Sequence, residues 1–347
     1  MQVFLTGGTG FIGQPLTQCL LRRSWNVTAL VRKPESPSAQ VLSKMGAQLV
    51  TGDVTERESM RAAMTGADIV IHNAGYYEFG IDARGKQRAQ QINVNGTDNV
   101  LGLALELGIP RSIYVSTVWA FGESGTELRD ETFTRNTTYR SVYEQTKTEA
   151  HVIAAQYKKR DLPLVIVCPN GVMGTNDHSV WGYFLRLYIN KLLPPMAWSP
   201  NSIFTLIEVH DLAKGISLAA EKGRLGETYF FCGESKKLRE HFAYWAEKPG
   251  GFNNRLWIPA PLAELAFWPL EPFLRAVGLP AFLSRETVRV GATNLNYSSE
   301  KAKRELGWIY KTAKEMWLDI LDGELELLAK RRNQNLISRL KPLEIGE

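Results

Sequence analysis

Residues 1–16 read MQVFLTGGTGFIGQPL, and four of the seven positions from Gly7 to Gly13 are glycine. Glycine loses more backbone freedom on folding than any other residue, so such a cluster is costly unless something must approach the main chain closely. The residues before it, VFLT (3–6), are strand formers. The residues after it, from Ile12 to Arg23, place apolar side chains at helical spacing. A helix start presents unpaired N–H groups and the positive end of the helix dipole. A diphosphate sits there when no side chain blocks it. Gly7, Gly10 and Gly13 fit G-x-x-G-x-x-G, and Gly8, Gly10 and Gly13 fit G-x-G-x-x-G. One glycine of such a loop makes the turn, one admits the phosphates and one lets the helix pack on the strand. The stretch therefore predicts a dinucleotide site.

The alternation continues outward. Short apolar runs at 26–31, 47–51, 68–73, 112–117 and 164–169 are separated by amphipathic stretches that include 56–64, 87–107 and 142–159. Nearly continuous apolar strands between helices imply an α/β protein, a doubly wound parallel sheet covered on both faces (a Rossmann fold). After about residue 175 aromatics and prolines concentrate, in 181–200 and 255–274, with one α/β episode between them at 203–233. The expected organisation is a dinucleotide-binding domain over 1–175 to which 203–233 returns. A smaller, mostly helical substrate lobe follows over 176–202 and 234–310, then a C-terminal helix and tail over 311–347.

The 347 residues suffice for one large domain or two smaller ones. The net charge is +5, but the basic clusters Arg32-Lys33, Lys158-Lys159-Arg160 and Lys330-Arg331-Arg332 are short and not interleaved with aromatics. They do not form a nucleic-acid track. Cys19, Cys168 and Cys232 are far apart and read as free thiols of a reducing compartment. A first strand at residue 2 leaves no room for a signal peptide, so the sequons at Asn26, Asn95 and Asn136 carry no weight. No uncharged apolar run reaches the ~18 residues of a spanning helix. The expectation is a cytoplasmic protein. Its five histidines show no metal spacing, and no metal is implied.

The nucleotide can be read further. An NAD site commonly has an acid at the end of the second strand, holding the ribose 2′-OH. Here that strand ends Ala29-Leu30-Val31-Arg32-Lys33. Arg32 suits a bidentate grip on a 2′-phosphate, so NADP(H) is expected in preference to NAD(H).

With these features in place the chain resembles the extended short-chain dehydrogenase/reductases of the epimerase/dehydratase family. The resemblance covers roughly residues 1–310. It is carried in order by TGGTGFIG (6–13), GDVT (52–55), HNAG (72–75), NVNGTDNV (93–100), YVSTVWAFG (114–122), YEQTK (143–147), CPNGVMG (168–174), FTLIEVHDLAKG (204–215) and YSSEKAKRELGW (297–308). It implies that Asp53 contacts the adenine, with Val54 beside it. It places Phe11 and Ile12 in the glycine loop, Ala74 along the cofactor, and Pro169 and Val172 beside the nicotinamide. Lys147 would bond the nicotinamide ribose, and Asn93 would hold a water or a backbone group behind that lysine. Dimerisation through 87–107 and 142–159 is also implied.

Tyr-x-x-x-Lys occurs four times, at Tyr143/Lys147, Tyr244/Lys248, Tyr297/Lys301 and Tyr310/Lys314. Only Tyr143 follows the STV segment by one crossover, on a stretch where i and i+4 share a helix face. A nearby lysine cation favours tyrosinate, so Tyr143 is expected below the usual tyrosine pKa of about 10, ready to exchange a proton. Counting back from Gly122, the family's catalytic hydroxyl aligns with Thr117, so the resemblance implies that Thr117 meets the substrate oxygen, with Ser116 the adjacent alternate. The expected reaction is carbonyl reduction, or the reverse. The segment VRKPES and the aromatic second region look most like the dihydroflavonol-reductase and hydroxysteroid-dehydrogenase branch. Tyr76, Tyr77, Trp119, Phe121, Trp181 and Phe184 are candidate walls of a flat apolar pocket, with His178 beside them.

Three other readings stay open. A nucleotide-sugar epimerase with retained NAD lacks its acid near Val31. A sugar dehydratase lacks the Asp-Glu after Thr117, where Val118 and Trp119 stand. A regulatory nucleotide-binding subunit has no need of the Tyr and Lys kept here. The apolar stretch 261–283 is read as substrate-lobe core in preference to a bilayer contact.

Overall fold

The computed structural model describes the chain except residues 136, 195, 249–255, 277–279, 281–282, 332–333 and 343–347. The sequon at Asn136, Arg332 of the last basic cluster and parts of 255–283 lie outside the described residues. Among the described residues the strands are β1 (Gln2–Thr6), β2 (Asn26–Val31), β3 (Gln48–Thr51), β4 (Ile69–His72), β5 (Ser112–Val115), β6 (Leu164–Pro169), β7 (Val172–Met173), β8 (Met196–Trp198), β9 (Ile203–Phe204), β10 (Ile207–Glu208), β11 (Thr228–Phe231), β12 (Lys236–Lys237) and β13 (Leu256–Ile258).

Seven of them make one parallel sheet in the order β11-β6-β5-β4-β1-β2-β3. The chain starts mid-sheet at β1, winds out to β3, then crosses back to β4 and winds the other way. Such a reversal opens a crevice at the carboxyl ends of the strands, where doubly wound sheets take their ligands. β11 joins beyond β6, with Thr228 opposite Ile166 and Phe231 opposite Pro169.

Strands β4, β5 and β6 are buried at every position, as strands covered on both faces must be. Side chains alternate between two apolar layers. Val3 and Leu5 face Leu16, Leu20, Leu212 and Ile216. Phe4 faces the other way, into the layer with Val100, Leu103, Ala150 and Ala154.

The expected helices at 12–23, 56–64 and 142–159 occur as Gly13–Arg22, Arg57–Met64 and Val142–Lys159. A further helix, Pro37–Met45, follows β2; Ser36 caps it by accepting the Ala39 N–H, and Pro37 fits its first turn. The stretch 87–107 is not one helix. It runs as Ala83–Ala89, a π-helical turn Gln90–Asn95, and Gly96–Glu106. The wider turn holds Asn93 buried, and π turns of this kind recur at functional sites.

Past β6 the chain adds the ribbons β7/β10, β8/β13 and β9/β12 and a further set of helices. An aromatic cluster holds this part together: Trp245 packs on Phe242 at 4.7 Å and on Trp317 at 5.3 Å. Trp317 lies on the helix Ala313–Lys330, so the C-terminal segment is packed into this region. A buried ion pair, Arg186 to Glu324 at 3.3 Å, fixes the same helix to Val180–Ile189.

One expectation fails here. The apolar stretch beginning at 261 is not core. It forms the helix Ala260–Ala276, from which Leu262, Leu265, Trp268, Leu270 and Phe273 face outward, while Phe267 packs inward on Trp198.

Candidate active site

The glycine loop turns at Gly7, with φ of 70°. A Cβ on Gly7 would lie 2.6 Å from the Ala74 nitrogen, and one on Gly13 only 2.0 Å from the Gly7 oxygen. Both neighbours are main chain, so neither position admits a side chain. Gly10 faces open space instead, with only the Gly7 oxygen near, at 3.4 Å.

The loop borders a cleft of about 810 Å³, within the roughly 300–1,000 Å³ of small-molecule sites. Gly7, Gly10, Phe11 and Ile12 line it, and Gly13 stands behind them as the packing glycine. Arg32, Asp53, Val54, Ala74, Pro169 and Val172 line it as well. Arg32, Asp53 and Arg88 also border a smaller side pocket of about 270 Å³, which adds Arg84. Asp53 is held in place: its Oδ1 accepts from the Thr55 N–H and hydroxyl, both at 2.9 Å. A helix start without acidic residues, a cradle that a Cβ would fill and a cleft of this size fit a dinucleotide.

Thr117, Tyr143 and Lys147 line the same cleft. The Thr117 hydroxyl donates to the Pro169 carbonyl at 3.2 Å, and it also lies against the Tyr143 phenol. Tyr143 packs edge-on against Tyr77 at 4.7 Å. Lys147, on the next turn, donates to the Val115 carbonyl at 3.0 Å and to the Tyr114 hydroxyl at 3.4 Å. Its ammonium also sits over the Tyr114 ring at 5.0 Å.

The electrostatics differ from the sequence expectation. Burial pushes Tyr143 up to about 12, and the Thr117 hydroxyl is what opposes the rise. The Lys147 ammonium is instead bonded to the Val115 carbonyl and the Tyr114 hydroxyl. Burial lowers Lys147 itself to about 8.

Asn93 holds a backbone group. Its Oδ1 accepts the Tyr76 N–H at 2.7 Å, while its Nδ2 donates to the Tyr76 carbonyl at 3.0 Å and to the Thr146 hydroxyl at 3.0 Å. One amide thus ties the cleft wall at Tyr76 to the residue before Lys147. Ser116 reaches the cleft, but its hydroxyl is 2.9 Å from His151 Nδ1. Burial lowers His151 to about 4. His72 is a buried tether between the Thr6 and Thr97 hydroxyls, at 2.8 and 3.1 Å, and burial keeps it neutral with a pKa of about 3.

Of the pocket candidates, Tyr76, Tyr77, Trp119 and His178 line the cleft. Trp181 does not. Its ring packs against Phe204, His241, Phe242 and Trp317, so the start of its helix turns it into the aromatic cluster. Phe121 packs on His151 and Phe230, and Phe184 on the core.

Sequence reasoning missed several groups. Glu144 is fully buried and pairs with Arg135 at 2.6 Å, while the Ser141 hydroxyl accepts the Glu144 N–H at 2.9 Å. This network fixes the first turn of the helix that carries Tyr143. S-x-x-E at Ser141–Glu144 was a readable helix start, but here the Glu carboxylate takes the Arg140 N–H at 2.7 Å. Asp177 also lines the cleft; its carboxylate accepts from the Ser179 N–H and hydroxyl at 2.7 and 2.6 Å, and burial lifts it to about 6.

A switch-point crevice, a glycine loop at a helix start and a Tyr–Lys pair facing a Thr define a nicotinamide-dinucleotide enzyme on a Rossmann fold. The chain belongs to the NAD dependent epimerase/dehydratase family, whose profile matches residues 3–231. It is thus an NAD(P)-dependent enzyme of the short-chain dehydrogenase/reductase type, acting on CH–OH/C=O groups. It is similar to a Synechocystis sp. protein carrying a dihydroflavonol 4-reductase name, at 28% identity over 91% of this chain and 92% of that one. It is 29% identical to the 4-hydroxy-2-methyl-3-oxo-4-farnesyl-3,4-dihydroquinoline-1-oxide ketoreductase of Stigmatella aurantiaca, over 92% of this chain and 96% of that one. The crystal structure of gox2253 superposes with a TM-score of 0.78 at 26% identity, covering 94% of this chain and 98% of that one.

Proposed function

We infer that the chain is an NADP(H)-preferring oxidoreductase that reduces the carbonyl, or oxidises the alcohol, of a small apolar or aromatic substrate. The observation that carries this reading is the convergence of Thr117, Tyr143 and Lys147 on the cleft that the glycine loop borders. Bound nicotinamide supplies or takes the hydride. Tyr143 is the acid/base. Held protonated at neutral pH by burial, it donates its phenolic proton to the substrate oxygen in the reductive direction. The Thr117 hydroxyl donates to the same oxygen as negative charge develops there. Lys147 supplies a buried positive charge behind them, and Asn93 keeps the Tyr76 wall in register with that helix.

Arg32 takes the 2′-phosphate, since β2 ends without an acid and Arg32 lines the cleft. Tyr77 and Trp119 form the apolar part of the substrate site. The Stigmatella relative is named a ketoreductase of a farnesylated quinoline oxide, which supports an apolar ketone here. In this reading residues 1–175 with 203–233 hold the nucleotide, and Asp177, His178 and Ser179 from the following lobe join Tyr77 and Trp119 at the substrate end of the cleft. Free thiols at Cys19, Cys168 and Cys232 suit a cytoplasmic setting.

Tyr143→Phe tests the reading. Turnover of a ketone substrate should fall by about 10²–10⁴-fold with the NADPH dissociation constant unchanged. Unchanged turnover refutes the assignment.

A further inference from the structure

The helix Ala260–Ala276 is built the wrong way round for a soluble surface. Its exposed side chains include Leu262 (58%), Leu265 (63%), Trp268 (64%), Leu270 (41%) and Phe273 (61%). Every other exposed position described on it is proline or alanine. Its carboxylates lie on the inner side. Glu264 accepts from Arg289 at 2.7 Å, and Glu271 pairs with Arg285 at 3.5 Å, both arginines coming from the helix Arg285–Gly291. A surface helix normally shows the reverse arrangement.

We propose that this helix lies in the plane of an anionic lipid bilayer, its outward apolar face in the boundary between headgroups and acyl chains. Three observations select lipid over another occupant, and a fourth selects a helix lying flat over one that spans. At 100° per residue the five large side chains span an arc of about 200°; a partner helix covers a narrow seam, whereas a bilayer boundary covers half a cylinder. The face carries no described charge, both carboxylates are neutralised inside, and part-exposed Arg285 and Arg289 flank it on a chain of net charge +5. That balance suits anionic headgroups. The five side chains expose on the order of 600 Å², under the ~800 Å² that each partner of a stable dimer buries. Pro269 and Pro272 give no N–H to the carbonyls of Leu265 and Trp268. Those carbonyls need water or headgroups, which a helix lying flat has and a spanning helix lacks. No helix among the described residues is long and apolar enough to cross a membrane.

The placement also has a use. Glu286, next to Arg285, accepts the Val142 N–H at 3.2 Å and the Gly80 N–H. The outward helix therefore stands one helix away from the turn that carries Tyr143.

The test uses the whole native chain and vesicles of phosphatidylcholine with equal phosphatidylglycerol. The chain should float with these vesicles, and less with phosphatidylcholine alone. Brominated acyl chains should quench its tryptophan emission, and Trp268→Phe should remove that quenching while the chain still floats. Changing Leu265, Trp268 and Phe273 to serine should lower partitioning by on the order of tenfold for each side chain. A native chain that floats with neither vesicle overturns the proposal. So does quenching that survives in Trp268→Phe. A dimer in sedimentation velocity that the serine variant abolishes, without vesicle binding, assigns the face to a second copy and overturns it as well. Neither arm uses turnover, so the outcome is independent of the oxidoreductase assignment.

Discussion

Replacing Lys147 with methionine should stabilise the protein at neutral pH while removing most of its activity. Lys147 is 6% exposed, and both partners of its ammonium, the Val115 carbonyl and the Tyr114 hydroxyl, are neutral. Burial lowers its pKa from 10.5 to about 8. At ~1.4 kcal/mol per pKa unit, keeping the charge inside costs the native state about 3 kcal/mol. Methionine keeps the apolar stem and gives up the hydrogen bonds; a carbonyl left unpaired costs ~1–2 kcal/mol. The net gain at pH 7 is about 1–2 kcal/mol. Its pH dependence has a fixed sign. Between pH 8 and 10.5 the unfolded chain holds the lysine proton and the native chain does not, so wild-type stability rises with pH across that window. Methionine has no proton to lose. Its advantage should be full below pH 8 and gone by pH 10.5. Urea unfolding of both proteins at pH 7 and pH 10 measures this, and an equal difference at the two values refutes the reasoning. In the same variant carbonyl reduction should fall by ~100-fold or more.

The remaining expectations concern single side chains. Wild-type kcat/KM for reduction should decline as pH rises through about 8, where Lys147 loses its charge, and a pH–rate profile reads this directly. Gly13→Ala puts a methyl 2.0 Å from the Gly7 oxygen; it should cost about 1–3 kcal/mol in denaturant melts and abolish nucleotide binding by titration calorimetry. Thr117→Val should lower kcat by ~10²–10³-fold, whereas Ser116→Ala, whose hydroxyl is held by His151, should leave kcat near wild type. Arg32→Asp should raise the NADPH dissociation constant about tenfold or more and leave NADH binding little changed in a fluorescence titration.

The first half of the chain was readable because its signals are local. A strand, a glycine loop and a helix within Gln2–Arg22 fix each other's meaning, and β2 and β6 lie where their apolar runs place them. What escaped depends on residues far apart in sequence. Trp181 was read as a pocket wall, but its direction is set by Phe204, Phe242 and Trp317, up to 136 positions away. The helix Ala260–Ala276 was read as core from its composition, and composition cannot say which face a helix turns to its neighbours. That depends on Arg285 and Arg289, which hold its acids inward. The i, i+4 spacing brought Tyr143 and Lys147 to one cleft, yet it could not tell where the ammonium points. The Val115 carbonyl and the Tyr114 ring on β5 decide that, while burial raises the pKa of the phenol. The π turn that buries Asn93 left no local signature in 87–107.

The most direct test of the account begins with the purified protein. It is denatured and any released nucleotide identified; the empty protein is then titrated with NADPH and NADH. The account predicts an empty or exchangeable site that binds NADPH more tightly than NADH, as a reductase whose cofactor comes and goes requires. A full complement of retained NAD would contradict it, since hydride would then be borrowed and returned within one turnover and Arg32 would have no phosphate to hold.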